Sequence, residues 1–194
     1  MRTQSLDVTF DTNCIMSLLN LPSDKTPAED IQALRQIMQW RDEKRLTVWV
    51  SEKSLTEAEK NLEKSRQSNS SDAHIYESKW LYTVKVLGSY PYPPLSGRFH
   101  VGKSKLGVDT RIASDSSKQD FEGISKLLFK KSPQDLKQDH QFDVIILFEH
   151  YIQGNDLFVT RDPDIFKKET ELKAKWGISV SKPIEAEKKL SLMW

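Results

Sequence analysis

The chain of 194 residues has a single cysteine, Cys14, and no excess of charge of either sign. One cysteine excludes an internal disulfide framework and a Cys-rich zinc site, and it suits a reducing compartment. Lys and Arg total 29 against 28 Asp and Glu, which gives a net charge of +1. This balance excludes an overall basic nucleic-acid binder and leaves room only for a basic patch on one face.

Long apolar runs and glycine-rich phosphate loops are also missing from the sequence. Without a run of about 18 apolar residues, we expect no membrane span. Asp7 and Asp11 lie where a signal peptide would need its apolar stretch, so we expect a cytoplasmic protein. The four histidines show no metal-ligand spacing, and we expect them to be solvated or packed. The length predicts one domain, 1–194.

Two strands and two helical patterns alternate in the first 65 residues. Apolar and β-forming residues predict strands over Leu6–Phe10 and Leu46–Val50, and a helix follows each of them. Thr26 to Glu29 (TPAE) has the pattern of a capping box, which predicts the start of a further helix before the second strand. This order of elements predicts a parallel α/β sheet.

A polar segment then interrupts the pattern, and we predict an insertion over 65–135 with a helix near its end, over Phe121–Phe129. The α/β pattern resumes with a heavily apolar helix from Phe142 to Ile152, which Gly154 ends. The remaining predicted elements are a strand over Leu157–Thr160, a helix opened by Asp162, a strand over Ile178–Val180 and a helix from Pro183.

Acidic residues fall where four of these elements would meet. Asp11 ends the first strand, Glu57 lies in the helix after the second strand, and Asp162 follows the strand over Leu157–Thr160. Asp143, with Asp139 one turn earlier, lies on the protein-facing side of the apolar helix. Ligands of parallel sheets bind outside the carboxyl ends of the strands. Carboxylates without Cys or His partners suit Mg²⁺ or Mn²⁺.

Three of these acids also have a purely structural interpretation, which the sequence leaves open. Asp11 and Asp162 could each cap the helix that follows, and Glu57 could complete a capping box with Ser54. Asp143 is harder to explain in this way, because a carboxylate on an apolar helix face needs a partner. If the acids do converge, they repel one another, and we expect Asp11→Asn to raise the melting temperature in the absence of metal.

At both ends of the α/β pattern the sequence resembles PIN-domain nucleases. Val8 to Asn13 (VTFDTN) resembles the opening strand motif of that family. Phe142 to Ile146 (FDVII) and Asn155 to Phe166 (NDLFVTRDPDIF) are similar to its C-terminal signature, and Ser51 to Glu57 matches the position of its second acid. The resemblance covers about 1–65 and 135–185. It implies a three-layer PIN-like domain, with a central, mainly parallel sheet flanked by helices and an insertion.

The resemblance also implies metal-dependent hydrolysis of phosphodiester bonds, with RNA as the expected substrate of an endoribonuclease. The implied catalytic acids are Asp11, Glu57, Asp143 and Asp162, with Glu59 as a competitor for the second position. The implied ligands of Mg²⁺ or Mn²⁺ are Asp11, Asp143, Asp162 and Asp164. Asn13 and Thr160 are expected to support them. The toxin of a toxin–antitoxin pair, a homo-oligomer and an inactive RNA- or protein-binding scaffold stay open as alternatives.

Basic residues offer a second, weaker pattern. Lys103, Lys105 and Arg111 lie in a locally positive stretch that could follow a phosphate backbone, and we also predict an RNA contact for Arg161. Incidental charge on a solvated loop explains the first three equally well.

Overall fold

The computed structural model describes residues 6–19, 26–67, 85–86 and 115–193. Its strands are β1 (Leu6–Phe10), β2 (Leu46–Val50), β3 (Lys85–Val86), β4 (Leu157–Val159) and β5 (Val180–Ser181). Its helices are α1 (Thr12–Leu19), α2 (Ala28–Asp42), α3 (Glu52–Gln67), α4 (Asp115–Phe129), α5 (Gln138–Gln153), α6 (Pro163–Phe166), α7 (Glu169–Trp176) and α8 (Pro183–Ser191), and a 3₁₀ turn covers Pro133–Asp135.

The strands form one sheet in the order β3-β2-β1-β4-β5, and all four pairings are parallel. Strand β1 is central, and Phe10 lies opposite Val50 of β2 and Val159 of β4. The residues after these three positions therefore emerge at one edge of the sheet. The expected α/β class with a parallel sheet is confirmed.

Helices cover both faces of this sheet, because alternate residues of a strand point to opposite faces. In β4, Leu157 and Val159 enter a core shared with α1, α2 and α8. Phe158 enters a second core shared with α4, α5 and α7. Both cores are apolar, and they hold the central strands from two sides.

Helix α5 runs through the second core. Val144 to His150 are all buried, so this helix is covered on every side, as a central core helix is. Gly154 ends it in a left-handed conformation with φ of 72°, as the sequence predicts. Part of the predicted insertion also belongs to this core. Phe121 of α4 is fully buried, and its ring packs edge-on against Phe148 at 5.2 Å between centroids.

The capping box predicted at Thr26–Glu29 is wrong, and the alternative capping box of Ser54 and Glu57 does not form either. Helix α2 begins at Ala28 without a side-chain cap, and the Thr26 hydroxyl lies 2.8 Å from Ser17 Oγ instead. Helix α3 is capped by Ser51, whose Oγ accepts a hydrogen bond of 3.0 Å from the Ser54 backbone N–H. Glu57 is therefore not the partner of a Ser54 cap.

None of the helices in the described ranges is long and apolar enough to cross a membrane.

Candidate functional site

A cavity of about 350 Å³ opens at the carboxyl edge of the sheet, where β1, β2 and β4 end side by side. Four of the side chains that line it are carboxylates, from Asp11, Glu57, Asp139 and Asp143. They come from the end of β1, from α3 and from the first turns of α5. The structure thus brings together three of the four predicted catalytic acids, with Asp139 as a fourth member.

Asp11 is the buried member of this group, with only 3% of its surface exposed. Its Oδ1 accepts a hydrogen bond of 2.7 Å from the Thr12 backbone N–H. Its Oδ2 accepts hydrogen bonds from Asn13 Nδ2 at 2.7 Å and from Thr160 Oγ1 at 2.6 Å. Burial raises the pKa of Asp11 to about 6, although these three hydrogen bonds lower it.

Asn13 and Thr160 both donate hydrogen bonds to Asp11. Besides its bond to Asp11, the Asn13 amide donates to Thr160 Oγ1 at 3.2 Å and accepts from the Arg161 backbone N–H at 3.0 Å. Thr160 Oγ1 accepts a further bond of 2.9 Å from the Asp162 backbone N–H. The network joins the ends of β1 and β4, so the orientation of the Asp11 carboxylate depends on both strands.

Asp143 has a different environment. It is half-buried, and no side chain or backbone group of the described residues donates a hydrogen bond to it. Its pKa is raised to about 7, mainly by burial and then by the negative charges of Asp11, Asp162, Asp139 and Glu57, in that order. Asp143 is therefore a carboxylate in a field of four other carboxylates.

Glu57 and Asp139 lie at the exposed rim of the cavity. Glu57 is one turn after Ser54, whose hydroxyl lies 2.7 Å from Thr12 Oγ1 and 2.8 Å from Ser51 Oγ. This chain of hydroxyls attaches the start of α3 to the start of α1. Sequence reasoning missed it, because Thr12 and Ser54 are 42 residues apart and no local pattern relates them.

Asp162 and Asp164 follow β4, and the structure gives them different surroundings. Asp162 caps α6 by accepting a 2.7 Å hydrogen bond from the Asp164 backbone N–H, so its predicted capping role is confirmed. Its charge also raises the pKa of both Asp11 and Asp143, so it belongs to the same electrostatic group. Asp164 is exposed and lies 2.9 Å from Lys167 Nζ, and it does not line the cavity.

Arg161 also lines the cavity, but its guanidinium is engaged within the protein. Nη1 donates to Ser17 Oγ at 2.8 Å and to Thr26 Oγ1 at 2.5 Å, and Nε lies 3.3 Å from a carboxylate oxygen of Asp30. Arg161 thereby holds the end of β4 against α1 and the start of α2. The other predicted RNA contacts, Lys103, Lys105 and Arg111, lie outside the described residues.

Oxygen donors dominate the candidate site, which suits a hard divalent cation such as Mg²⁺ or Mn²⁺. Within the described ranges, no three His, Cys, Asp or Glu side chains are grouped closely enough to form a metal-ligand set. The charges of these acids interact with one another, but the acids do not form a complete metal-coordination shell.

The histidines of the described region take no part in this site. His140 stacks on Phe129, with 4.2 Å between the ring centroids. His150 is buried, and its Nδ1 lies 2.8 Å from Thr9 Oγ1. Both are packed, as expected from the sequence.

Comparison of the chain with protein-family models gives no match, and comparison with curated proteins gives none either.

Proposed function

We propose that the chain is a PIN-like nuclease that hydrolyses phosphodiester bonds in RNA with the help of Mg²⁺ or Mn²⁺. The observation that carries this proposal is the environment of Asp143. A half-buried carboxylate that no described residue donates a hydrogen bond to, surrounded by four further acids, is costly unless a cation joins it. The neighbouring cation that lines the cavity, Arg161, already interacts with Asp30.

The donor chemistry fits such a cation, and Asp11, Asp143 and Asp162 are the side chains that would hold it. Asp11 is held in place by its three hydrogen bonds, so its remaining lone pairs have a fixed direction. When bound, a divalent cation would supply a hydroxide nucleophile at neutral pH and positive charge beside the phosphate. We assign no ligand role to Asp164, because it is paired with Lys167.

Glu57 supports hydrolysis in a different way. It lies at the exposed rim of the same cavity, where water has access, and its carboxylate can accept a proton from an attacking water or orient that water. The hydroxyl chain through Ser54 fixes the turn of α3 that precedes it. The chain's own residues would thus orient the water and hold the phosphate-facing acids in place.

The test compares cleavage of total RNA by the wild type and by Asp143→Asn, with Mn²⁺ and with EDTA. We expect metal-dependent fragments from the wild type and a loss of at least about 100-fold in Asp143→Asn, because a neutral amide is a poor ligand for a hard cation. Asp135→Asn, an exposed acid of the 3₁₀ turn, is the matched control and should cleave normally. A wild type without activity on single-stranded and structured RNA would favour the inactive scaffold.

A further inference from the structure

A second cavity, of about 660 Å³, separates α3 from the start of α5, and we call it the interhelical cavity. Glu57 of α3 and Asp139 of α5 line both this cavity and the carboxylate cavity. The acids of the two helices therefore face each other across open space. Their separation depends on the side chains that hold α3 and α5 at this width.

Lys53 of α3 reaches α5 across the interhelical cavity. Its Nζ lies 3.8 Å from the centroid of the Phe142 ring, which is a cation–π contact. The ammonium is also attracted by the negative charge of Glu149, which opposes the fall in the pKa of Lys53 that burial causes. Phe142 and Glu149 are two helical turns apart and lie on the same face of α5. Lys53 thus interacts with two groups on one face of this helix.

The same turns of α3 and α5 carry the acids. Glu57 follows Lys53 by four residues, so the two side chains project from neighbouring turns on the same side of α3. On α5, Phe142 directly precedes Asp143 and follows Asp139 by three residues. Any change in the contact between Lys53 and Phe142 therefore moves the turn that carries Glu57 relative to the turn that carries the acids of α5.

We propose that Lys53 is a positioning residue, which fixes the distance between Glu57 and the acids of α5 by binding to that helix. The hydroxyl of Ser54 attaches the same turn of α3 to α1, so the two neighbouring residues hold α3 from two directions. The proposal rests on the proposed function for its effect on cleavage. The distance between the helices, however, depends on neither RNA nor a cation and can be measured without them.

The first experiment measures the distance between the two helices in EDTA, by double electron–electron resonance of two spin labels. The labels are attached at Glu63→Cys of α3 and Lys137→Cys at the start of α5, which are exposed positions, whereas Cys14 is buried and inert. We expect a broader distance distribution in Lys53→Met, which keeps an apolar stem but lacks the ammonium. Lys53→Arg keeps the cation and should restore the wild-type distribution. An unchanged distribution in Lys53→Met would overturn the proposal.

The second experiment measures kcat and KM for RNA cleavage with Mn²⁺. Lys53→Met should lower kcat at least about 10-fold and leave KM unchanged, because a displaced Glu57 no longer orients the attacking water. The loss of a positive charge by itself would instead weaken RNA binding and raise KM. Lys60→Met is the matched control, because Lys60 lines the same cavity but lies over no aromatic ring of the described residues. Equal losses of kcat in the two variants would overturn the proposal.

A variant of the other partner keeps the test decisive if Lys53→Met folds poorly. Phe142→Leu removes the ring that Lys53 contacts and should also broaden the distance distribution. Phe129→Leu is its control, because Phe129 stacks on His140 and lines neither cavity. Equal distributions in the two phenylalanine variants would overturn the proposal. The expected distances in a wild type that shows no metal-dependent cleavage would overturn the proposed function alone.

Discussion

Asp11 and Asp143 are both acids with a raised pKa, but they differ in their hydrogen bonds. Asp11 accepts three, whereas Asp143 accepts none from the described residues. In Asp11→Asn, an amide nitrogen at the position of Oδ2 would face the Asn13 amide, and hydrogen bonds would be lost. The stability gained by removing the negative charge is therefore offset by the stability lost with these hydrogen bonds. The rise in melting temperature expected from the sequence for Asp11→Asn therefore loses its physical basis. At Asp143, the effect of removing the charge on stability can be measured without the loss of a hydrogen bond from a described residue.

We predict that Asp143→Asn stabilises the protein in EDTA at pH 8. The folded protein raises the pKa of Asp143 from 3.8 to about 7, so the charged form is destabilising above pH 7, and this cost disappears as the pH falls toward 4. Because Asp143 is partly exposed, solvent screens its charge and reduces this effect. We therefore expect the free energy of unfolding to rise by about 1–2 kcal/mol, or the melting temperature by roughly 2–8 °C. Thermal melts at pH 8 and pH 4.5 test this. The idea fails if Asp11→Asn melts higher than Asp143→Asn at pH 8.

His150 is a buried base, and the folded protein disfavours its protonated form. Burial lowers its pKa from 6.5 to about 3, and in the neutral ring Nδ1 can accept a hydrogen bond from the Thr9 hydroxyl. The unfolded chain takes up the proton first, so the contribution of His150 to stability is complete above pH 6.5 and is lost as the pH falls from 6.5 toward 3.

We therefore predict that the His150→Gln variant loses less stability than the wild type between pH 7.5 and pH 5. The difference should be about 2 kcal/mol in the free energy of unfolding, from 1.5 pH units at 1.36 kcal/mol each. Denaturant titrations at both pH values measure it. A His150→Gln curve parallel to the wild-type curve would contradict this prediction.

At the scale of elements, the contact between α1 and α3 decides where Glu57 lies. The hydroxyls of Thr12, Ser54 and Ser51 form a chain with links of 2.7 and 2.8 Å, and both serines are buried. Ser51 also caps α3. The position of Glu57 over the cavity therefore depends on a polar contact that is partly buried.

We predict that Ser54→Ala lowers the free energy of unfolding by about 1–2 kcal/mol, because it leaves the buried Ser51 hydroxyl and the half-buried Thr12 hydroxyl with one partner fewer. It should also reduce RNA cleavage about 10-fold, through the displacement of Glu57. Urea titrations and cleavage rates at saturating RNA measure the two effects. Thr56→Ala removes an exposed hydroxyl from the same helix and should change stability by less than about 0.5 kcal/mol. Similar values for the two variants would show that the hydroxyl chain has no special role.

Local patterns in the sequence were sufficient for most elements but not for their connections. The alternation in Leu6–Phe10 and the glycine at 154 predicted β1 and the end of α5, since each depends on neighbouring residues only. The hydroxyl of Thr26 could not be assigned in the same way. Its local pattern fits a capping box, but Ser17 and Arg161 compete for it, and Arg161 lies 135 residues away.

For the whole molecule, a divalent cation should act as a stabilising ligand. A cation that binds only the folded state adds about 2.7 kcal/mol at 100 times its dissociation constant, which is roughly 5–10 °C in melting temperature for a chain of this size. We predict this rise for the wild type with Mg²⁺ or Mn²⁺, and a much smaller rise for Asp143→Asn. Melts with Mg²⁺ at two ionic strengths, matched with NaCl, separate specific binding from screening. An equal rise in both proteins would remove Asp143 from the cation site.

Convergence of the acids was predictable from the order of the elements, because parallel strands present their carboxyl ends at one edge. The sequence could not predict which of the acids interact most strongly with one another, since burial and hydrogen bonds are properties of the folded chain. Asp162 and Asp164 are two residues apart, yet only Asp162 adds to the field at Asp143. Asp164 interacts with Lys167 on the outside of α6. Whether the acids bind metal and cleave RNA stays a prediction.

The pairing of β1 with β4 has a consequence for the timing of biosynthesis. Asp11 is held by Thr160, 149 residues later in the chain, and its backbone N–H donates to the carbonyl of Val159. At the usual rate of translation, the residues between Asp11 and its partner Thr160 take roughly 7–30 s to make. A nascent chain cannot orient Asp11 until β4 is made, so the buried carboxylate and its hydrogen-bond network form only after the two distant segments have both been translated.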